Sequence, residues 1–222
     1  MSEPKRSVEQ ARPGPSPLLV FGLALLAVVV GVGLWVGWLY WGSVRLAERA
    51  VGDEVAAVHD TWSRHPGDAL IANPAPGEAY WIIRIPRLGD GWEWPVAVGV
   101  DDDVTGRAVG WYSGTAQPGQ VGNFAVAGQC ITGAQPFRHL RDLAVGDTVE
   151  VEGAAAKFTY EIISAPSGLT VQADDAWVLD PVPGQPDEAP VNAFITLTTC
   201  EDLYPTPDRS VGLGILTKTE EK

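Results

Sequence analysis

Cys200 ends an apolar, β-branched run, ITLTTC over residues 195–200, and Arg209 follows nine positions later. A thiol and a guanidinium so spaced can face each other if the run is a strand ending at the cysteine and EDLYPTPD is the loop that follows. The pairing has chemical meaning. A cysteine attacks as its thiolate, and a nearby cation both lowers the thiol pKa and stabilises the oxyanion of an acyl-transfer intermediate. A cysteine in a strand is also often a small buried hydrophobe, so residue type alone leaves both readings open. The chain holds two cysteines, Cys130 and Cys200, and three histidines, His59, His65 and His139. Two cysteines make no disulfide framework and the histidines lack metal-ligand spacing, so neither a metal nor a cofactor is expected. Carboxylates at 101–103 (DDD) and in DEAP at 187–190 suit calcium or, more simply, solvated acidic turns.

The elements that must position these residues follow from the pattern of the rest of the chain. A net charge of −13 over 222 residues, with neither a basic cluster nor a glycine-rich phosphate loop, excludes nucleic acid as a partner. No charge occurs from Pro13 to Val44, and the apolar stretch within this segment is long enough to cross roughly 30 Å of hydrocarbon. Trp35, Trp38, Tyr40 and Trp41 form an aromatic belt at its far boundary, where a cleavable signal peptide would carry small residues. Lys5, Arg6 and Arg12 precede the span while Arg45 and Arg49 follow it. This small positive-inside bias favours a cytoplasmic amino terminus. The 11 Lys and Arg against 26 Asp and Glu in residues 46–222 suit an extracellular body, so a single-pass cell-membrane protein is expected.

Beyond the span, Leu46, Ala50, Val51, Val55, Val58 and Trp62 recur at helical spacing and predict a helical stalk with one apolar stripe. HPGDALIANPAPGEA has the composition of a linker, or of a segment draped over the domain. From Ala79 the period changes. AYWIIRI, WPVAVGV, AVGWYSG, GNFAVAG, DTVEVEG, KFTYEIIS, NAFITLTT and SVGLGILT are short, β-branched and aromatic, and are separated by Gly, Pro and Asp. Eight such strands predict a mainly β domain, a sandwich or a closed barrel that protects its strand edges. PFRHLRDL, with Phe137, Leu140 and Leu143 at helical spacing, predicts a short helix inside it. The expected organisation is a tail over 1–17, a transmembrane helix over 18–41, a helical stalk over 42–64, a linker over 65–78 and a β-barrel over 79–222.

TLTTC at 196–200 resembles the TLxTC signature of sortases, the membrane-anchored cysteine transpeptidases of Gram-positive bacteria. IRIPRLG at 83–89, GRAVGWYSGTAQPGQVGNFAVAG at 106–128, PFRHLRDLAVGDTV at 136–149 and Arg209 are similar to the class E type of actinobacteria. Together they extend the likeness over residues 79–218. The resemblance implies an eight-stranded sortase β-barrel with Cys200 as nucleophile and Arg209 holding the substrate carbonyl or its oxyanion. It also implies a substrate-binding cleft about Thr198, Thr199 and Cys130. The implied partners are the sorting-signal peptide of a surface protein, a peptidoglycan precursor amine and the membrane.

One position departs from the family pattern. Where the family reads AGH, this chain reads AGQC, so Gln129 stands in the place of the catalytic histidine. An amide donates a hydrogen bond but cannot release a proton to a leaving amine. General acid catalysis is worth about 10²–10⁴-fold. His139 in the PFRHL segment reads as a surface histidine. Cys130 is the second departure, and a Cys130–Cys200 disulfide would cap the nucleophile. Alternation along a strand would turn Cys130 away from a cleft-facing Gln129, unless the strand has already ended. Two functions stay open: an active transpeptidase that attaches surface proteins to the cell wall, and a catalytically impaired sortase-like module that binds a peptide or protein.

Overall fold

Closure of the sheet is what positions the site. The computed structural model describes residues 16–38, 43–64, 70–131, 134–201 and 206–222. Among these, one sheet is built from β1 (Ala79–Arg84), β2 (Glu93–Val98), β3 (Val109–Trp111), β4 (Gly122–Ala127), β5 (Thr148–Glu152), β6 (Ala156–Ser164), β7 (Thr170–Gln172), β8 (Ala193–Cys200) and β9 (Asp208–Glu221). The order is β6-β5-β1-β2-β3-β4-β8-β9-β7, and an additional β6–β9 pairing joins the ends. Eight strands therefore close into a barrel, as expected from the sequence, and β7 adds to the start of β9. Closure removes the open edges that a flat sheet would present to another chain.

The long β9 makes closure feasible. Its first half pairs with β8, from Cys200↔Arg209 to Phe194↔Ile215, and its second half pairs with β6, with register shifts at Thr159/Tyr160 and Ile162/Ser164. Such bulges bend a strand and tighten its twist. Two parallel pairings, β2–β3 and β4–β8, need crossovers. The first is made by α3 (Asp102–Thr105), whose N-cap Asp101 accepts a bond from the Val104 amide at 3.1 Å. The DDD run is thus the start of a helix, where carboxylates offset the helix dipole. Among the described residues no group of three or more His, Cys, Asp or Glu is placed to hold a metal.

Ile82, Ile83, Val96, Phe124, Val126, Val149, Val151, Tyr160, Ile162, Ile195 and Leu197 belong to one continuous buried cluster. Trp81 meets both Trp111 and Phe124 edge-on, at 5.3 and 5.8 Å, a geometry that aromatic quadrupoles favour. The Tyr160 hydroxyl accepts the Gly119 amide at 2.8 Å, and burial pushes its pKa up to about 12. Arg84 on β1 is gripped by Glu93 and Glu152. Burial alone would raise the pKa of Glu152, but hydrogen bonds from Lys222 and Arg84 outweigh it and hold the carboxyl below its ordinary range.

The chain divides into two compact units, residues 1–43 and 44–222. In the first, α1 (Pro17–Gly37) is apolar throughout, and Val20–Gly37 is long and apolar enough to cross a membrane. In the second, α2 (Ser43–Arg64) is the helix expected as a stalk. Its stripe is used differently from that expectation: Val51, Val55, Val58 and Trp62 are buried in one hydrophobic cluster with residues of the barrel. The Trp62 indole donates to the Tyr80 carbonyl at 2.9 Å, and Arg107 pairs with Glu54. Leu46 and Ala50 lie outside the described side chains. Residues 70–78, read as a linker or a draped segment, are fastened to the domain. Gln117 bonds both the amide and the carbonyl of Ile71, at 2.9 and 2.8 Å, and the Gly77 amide reaches the Val98 carbonyl at 2.8 Å.

Candidate active site

The parallel pairing of β4 with β8, in register from Gly122↔Ala193 to Ala127↔Thr198, delivers the ends of both strands to the same end of the barrel. β8 runs on to Cys200, where its antiparallel partner is Arg209 at the start of β9. Directly opposed residues of an antiparallel pair have Cα atoms about 4.5–5.5 Å apart, so the two residues paired from sequence spacing are neighbours across the ladder. Arg209 Nη1 donates to the carbonyls of Thr206 and Asp208, at 2.8 and 2.9 Å. These bonds fix one edge of the guanidinium fork, and no ion pair engages it among the described residues.

Cys130 is bonded to Cys200 in a disulfide with a Cα–Cα distance of 5.9 Å. The orientation follows from where β4 stops. The strand ends at Ala127, so Gly128, Gln129 and Cys130 lie beyond the pleat and strict alternation no longer applies to them. The chain turns here against Phe137, whose amide donates to the Gln129 carbonyl at 3.1 Å. A Cβ on Gly128 would lie 2.6 Å from the Phe137 ring, so this close approach requires glycine.

The Gln129 side chain donates from Nε2 to Thr105 Oγ1 at 3.3 Å, and Thr105 Oγ1 in turn donates to the Asp101 carbonyl at 3.0 Å. Thr198 and Thr199, inferred to border the substrate cleft, are buried. Their hydroxyls donate to the carbonyls of Val126 and Gly128 at 3.2 and 2.9 Å. These bonds staple β8 to β4 directly beside the cysteine pair, each worth about 1 kcal/mol net.

Two further residues, Glu201 and Tyr112, are not marked by the sequence pattern. Glu201 follows Cys200, and its carboxylate pairs with Arg141 at 3.0 Å and accepts the hydroxyls of Ser210 and, at 3.3 Å, Thr170. It therefore ties the end of β8 to β7, β9 and the 3-10 turn that follows the site loop, residues 134–139. Tyr112 places its hydroxyl 3.3 Å from Thr198 Oγ1. Apart from Glu201 standing next to the cysteine, nothing in the sequence marks them. The PFRHL segment is not the regular helix expected. Only a single 3-10 turn forms, Leu140–Asp142, because i, i+3 spacing also fits that tighter winding. Phe137, Leu140 and Leu143 are nonetheless fully buried. His139 is largely exposed and pairs with Asp142 at 3.3 Å, as a surface histidine would. His59 packs edge-on against Trp62 in α2. His65 lies outside the described residues.

Comparison with known proteins agrees with this fold. The sortase domain family matches residues 83–215. The Streptomyces coelicolor sortase SrtE1 is 29% identical over 230 residues, covering 96% of this chain and 61% of that protein. The sortase E structure from Streptomyces avermitilis superposes with a TM-score of 0.59 at 35% identity, over 66% of this chain and 93% of that one. Sortase E1 from Streptomyces coelicolor, with a tripeptide in its active site, gives 0.58 at 31% identity, over 67% and 94%. The closed barrel of eight strands is the sortase fold. The chain belongs to the sortase family, and the relatives compared above are sortases E.

Proposed function

We propose that this chain is a membrane-anchored transpeptidase of the class E sortase type, which acts once the Cys130–Cys200 bond is reduced. The observation that carries the reading is the pairing of Cys200 with Arg209 across β8 and β9. In the reduced protein the Cys200 thiolate attacks the carbonyl of a sorting-signal peptide, and Arg209 stabilises the charge that develops on that oxygen. The C–N bond breaks, the downstream amine leaves with a proton, and the acyl group remains on Cys200 as a thioester. The amine of a peptidoglycan precursor then attacks the thioester and restores the thiolate. α1 supplies a span for anchoring, with the amino terminus cytoplasmic and the barrel outside, where disulfides persist.

The test uses the full chain in detergent micelles, reduced and incubated with peptides carrying LAXTG or LPXTG cores. An intact-mass increase equal to the acyl fragment, absent in Cys200→Ala and strongly reduced in Arg209→Ala, is the expected result. A second reading, a peptide- or protein-binding module, is favoured by Gln129 in the place of the histidine. It becomes the better account if the reduced native chain gives no adduct while Gln129→His does.

A further inference from the structure

The reaction proposed above needs a proton donor for the leaving amine, and the residue at the family's histidine position cannot supply one. Gln129 is an amide whose Nε2 bonds to Thr105. Of the other candidates described, His139 is exposed and paired with Asp142, and His59 sits in α2 against Trp62. The group that does touch the nucleophile is Cys130.

We infer that Cys130, once reduced, is the general acid and base of this site, so that a Cys130–Cys200 pair takes the place of a histidine–cysteine pair. The inference rests on the transpeptidase reading. A Cα–Cα distance of 5.9 Å lies within the range that brings two sulfurs into contact without backbone movement. The threonine staples on one side and Phe137 on the other hold both backbones in place when the bond is broken. Reduction by a dithiol, which leaves as its own disulfide, yields two adjacent thiols. A thiol pKa near 8.5 lies close to the working pH, as an acid–base group requires.

One proton shared by the two sulfurs gives a thiolate at Cys200, favoured by Arg209 opposite it, and a thiol at Cys130. Attack forms the S–C bond. As the C–N bond breaks, Cys130 passes its proton to the departing amine and becomes a thiolate. In the second half, the incoming amine gives its proton to Cys130 as it attacks the thioester, and Cys200 leaves as thiolate. The starting protonation state is restored. The charged groups on the surrounding elements are Arg209 and Asp208 on β9, Glu201 in its pair with Arg141, Arg138 and His139 on the site loop, and Asp101, Asp102 and Asp103 at α3.

Single-turnover acylation of the reduced full chain, measured against pH with the same peptides, tests the assignment. The native protein should give a bell-shaped profile, because only the singly protonated pair reacts and its two apparent pKa values belong to the pair. Cys130→Ala should acylate roughly 10²- to 10⁴-fold more slowly and lose the basic limb of the bell. Cys130→Ser keeps the shape and hydrogen bonding of the side chain but cannot release its proton near neutrality, and it should be equally slow. Gln129→His in the Cys130→Ala chain should recover most of the rate. Native rates in Cys130→Ser or Cys130→Ala would overturn the role of Cys130 and leave the transpeptidase reading intact. If only chains carrying Gln129→His acylate, both the role and the transpeptidase reading of the native protein fall.

Discussion

Reduction of the Cys130–Cys200 bond should lower the unfolding free energy of this protein by about 4 kcal/mol. The two residues are 70 positions apart, and closing a loop of that length removes about 15 cal/mol/K from the unfolded ensemble, or about 4.4 kcal/mol at 25 °C. The folded state loses little in compensation, because the strands carrying the two cysteines remain paired through Ala127↔Thr198 and Cys200↔Arg209. For a domain of this size each kcal/mol moves Tm by about 2–4 °C, so the reduced protein should melt roughly 9–18 °C lower. The assay is tryptophan fluorescence against temperature for the full chain, oxidised and reduced, with Cys130→Ser melted beside it and intact mass recorded for each sample. A shift under about 3 °C in protein shown by mass to be fully reduced would refute the loop-entropy reasoning. Two free thiols in protein purified without reductant would refute the pairing itself. The magnitude also bears on catalysis: against a typical stability of about 5–15 kcal/mol, a loss of this size leaves the reduced barrel folded over most of that range.

Three other outcomes follow from the packing. Tyr160 should make stability independent of its own titration below pH 10 and lower it from pH 10 to about 12, by roughly 1.4 kcal/mol per pH unit, because the unfolded state ionises first. In Tyr160→Phe that slope should vanish from denaturant titrations, while the stranded Gly119 amide costs about 1–3 kcal/mol. Gly128→Ala should destabilise by about 1–3 kcal/mol in the same titrations, because the new methyl meets the Phe137 ring at 2.6 Å and pushes the site loop off the barrel. A chain beginning at Ala79 should melt well below one beginning at Ser43 and bind a hydrophobic dye, since it lacks Trp62 and the three buried valines of α2. Trp62→Ala alone should cost about 3–5 kcal/mol. An unaltered melt for the shorter chain would restore the stalk reading.

The barrel was legible because each of its strands carries its own signal: a short β-branched run bounded by Gly, Pro or Asp. β7 was not, since three residues with one buried side chain, Val171, offer no period to detect. α2 shows the same division. Its apolar stripe was readable at Val51, Val55, Val58 and Trp62, but a stripe states only that something covers it. The partner is the barrel wall, reached through a Trp62 to Tyr80 contact that no local pattern encodes. The 136–143 segment failed in a third way: the burial of Phe137, Leu140 and Leu143 was right, and the winding was not, because spacing of three is common to both helix types.

The site divides along similar lines, and the division explains its chemistry. Cys200 and Arg209 could be paired from sequence, since a strand, a loop and a return strand oblige the two ends to meet. Cys130 could not, because alternation predicts a direction only while the strand lasts, and β4 stops at Ala127. Past that point the direction is set by Gly128, which lets Phe137 sit where a side chain would be, and by the Gln129 carbonyl that receives the Phe137 amide. The glutamine is then held toward Thr105 while its neighbour turns to Cys200. Taken singly, an amide in place of the histidine removes an acid, and a cysteine beside it adds an oxidation hazard. Taken together at the ends of two parallel strands, they put a second group able to hold and release a proton against the nucleophile. The two departures from the family pattern are therefore one change in the chemistry of the site, and Cys130→Ser is the variant that separates them.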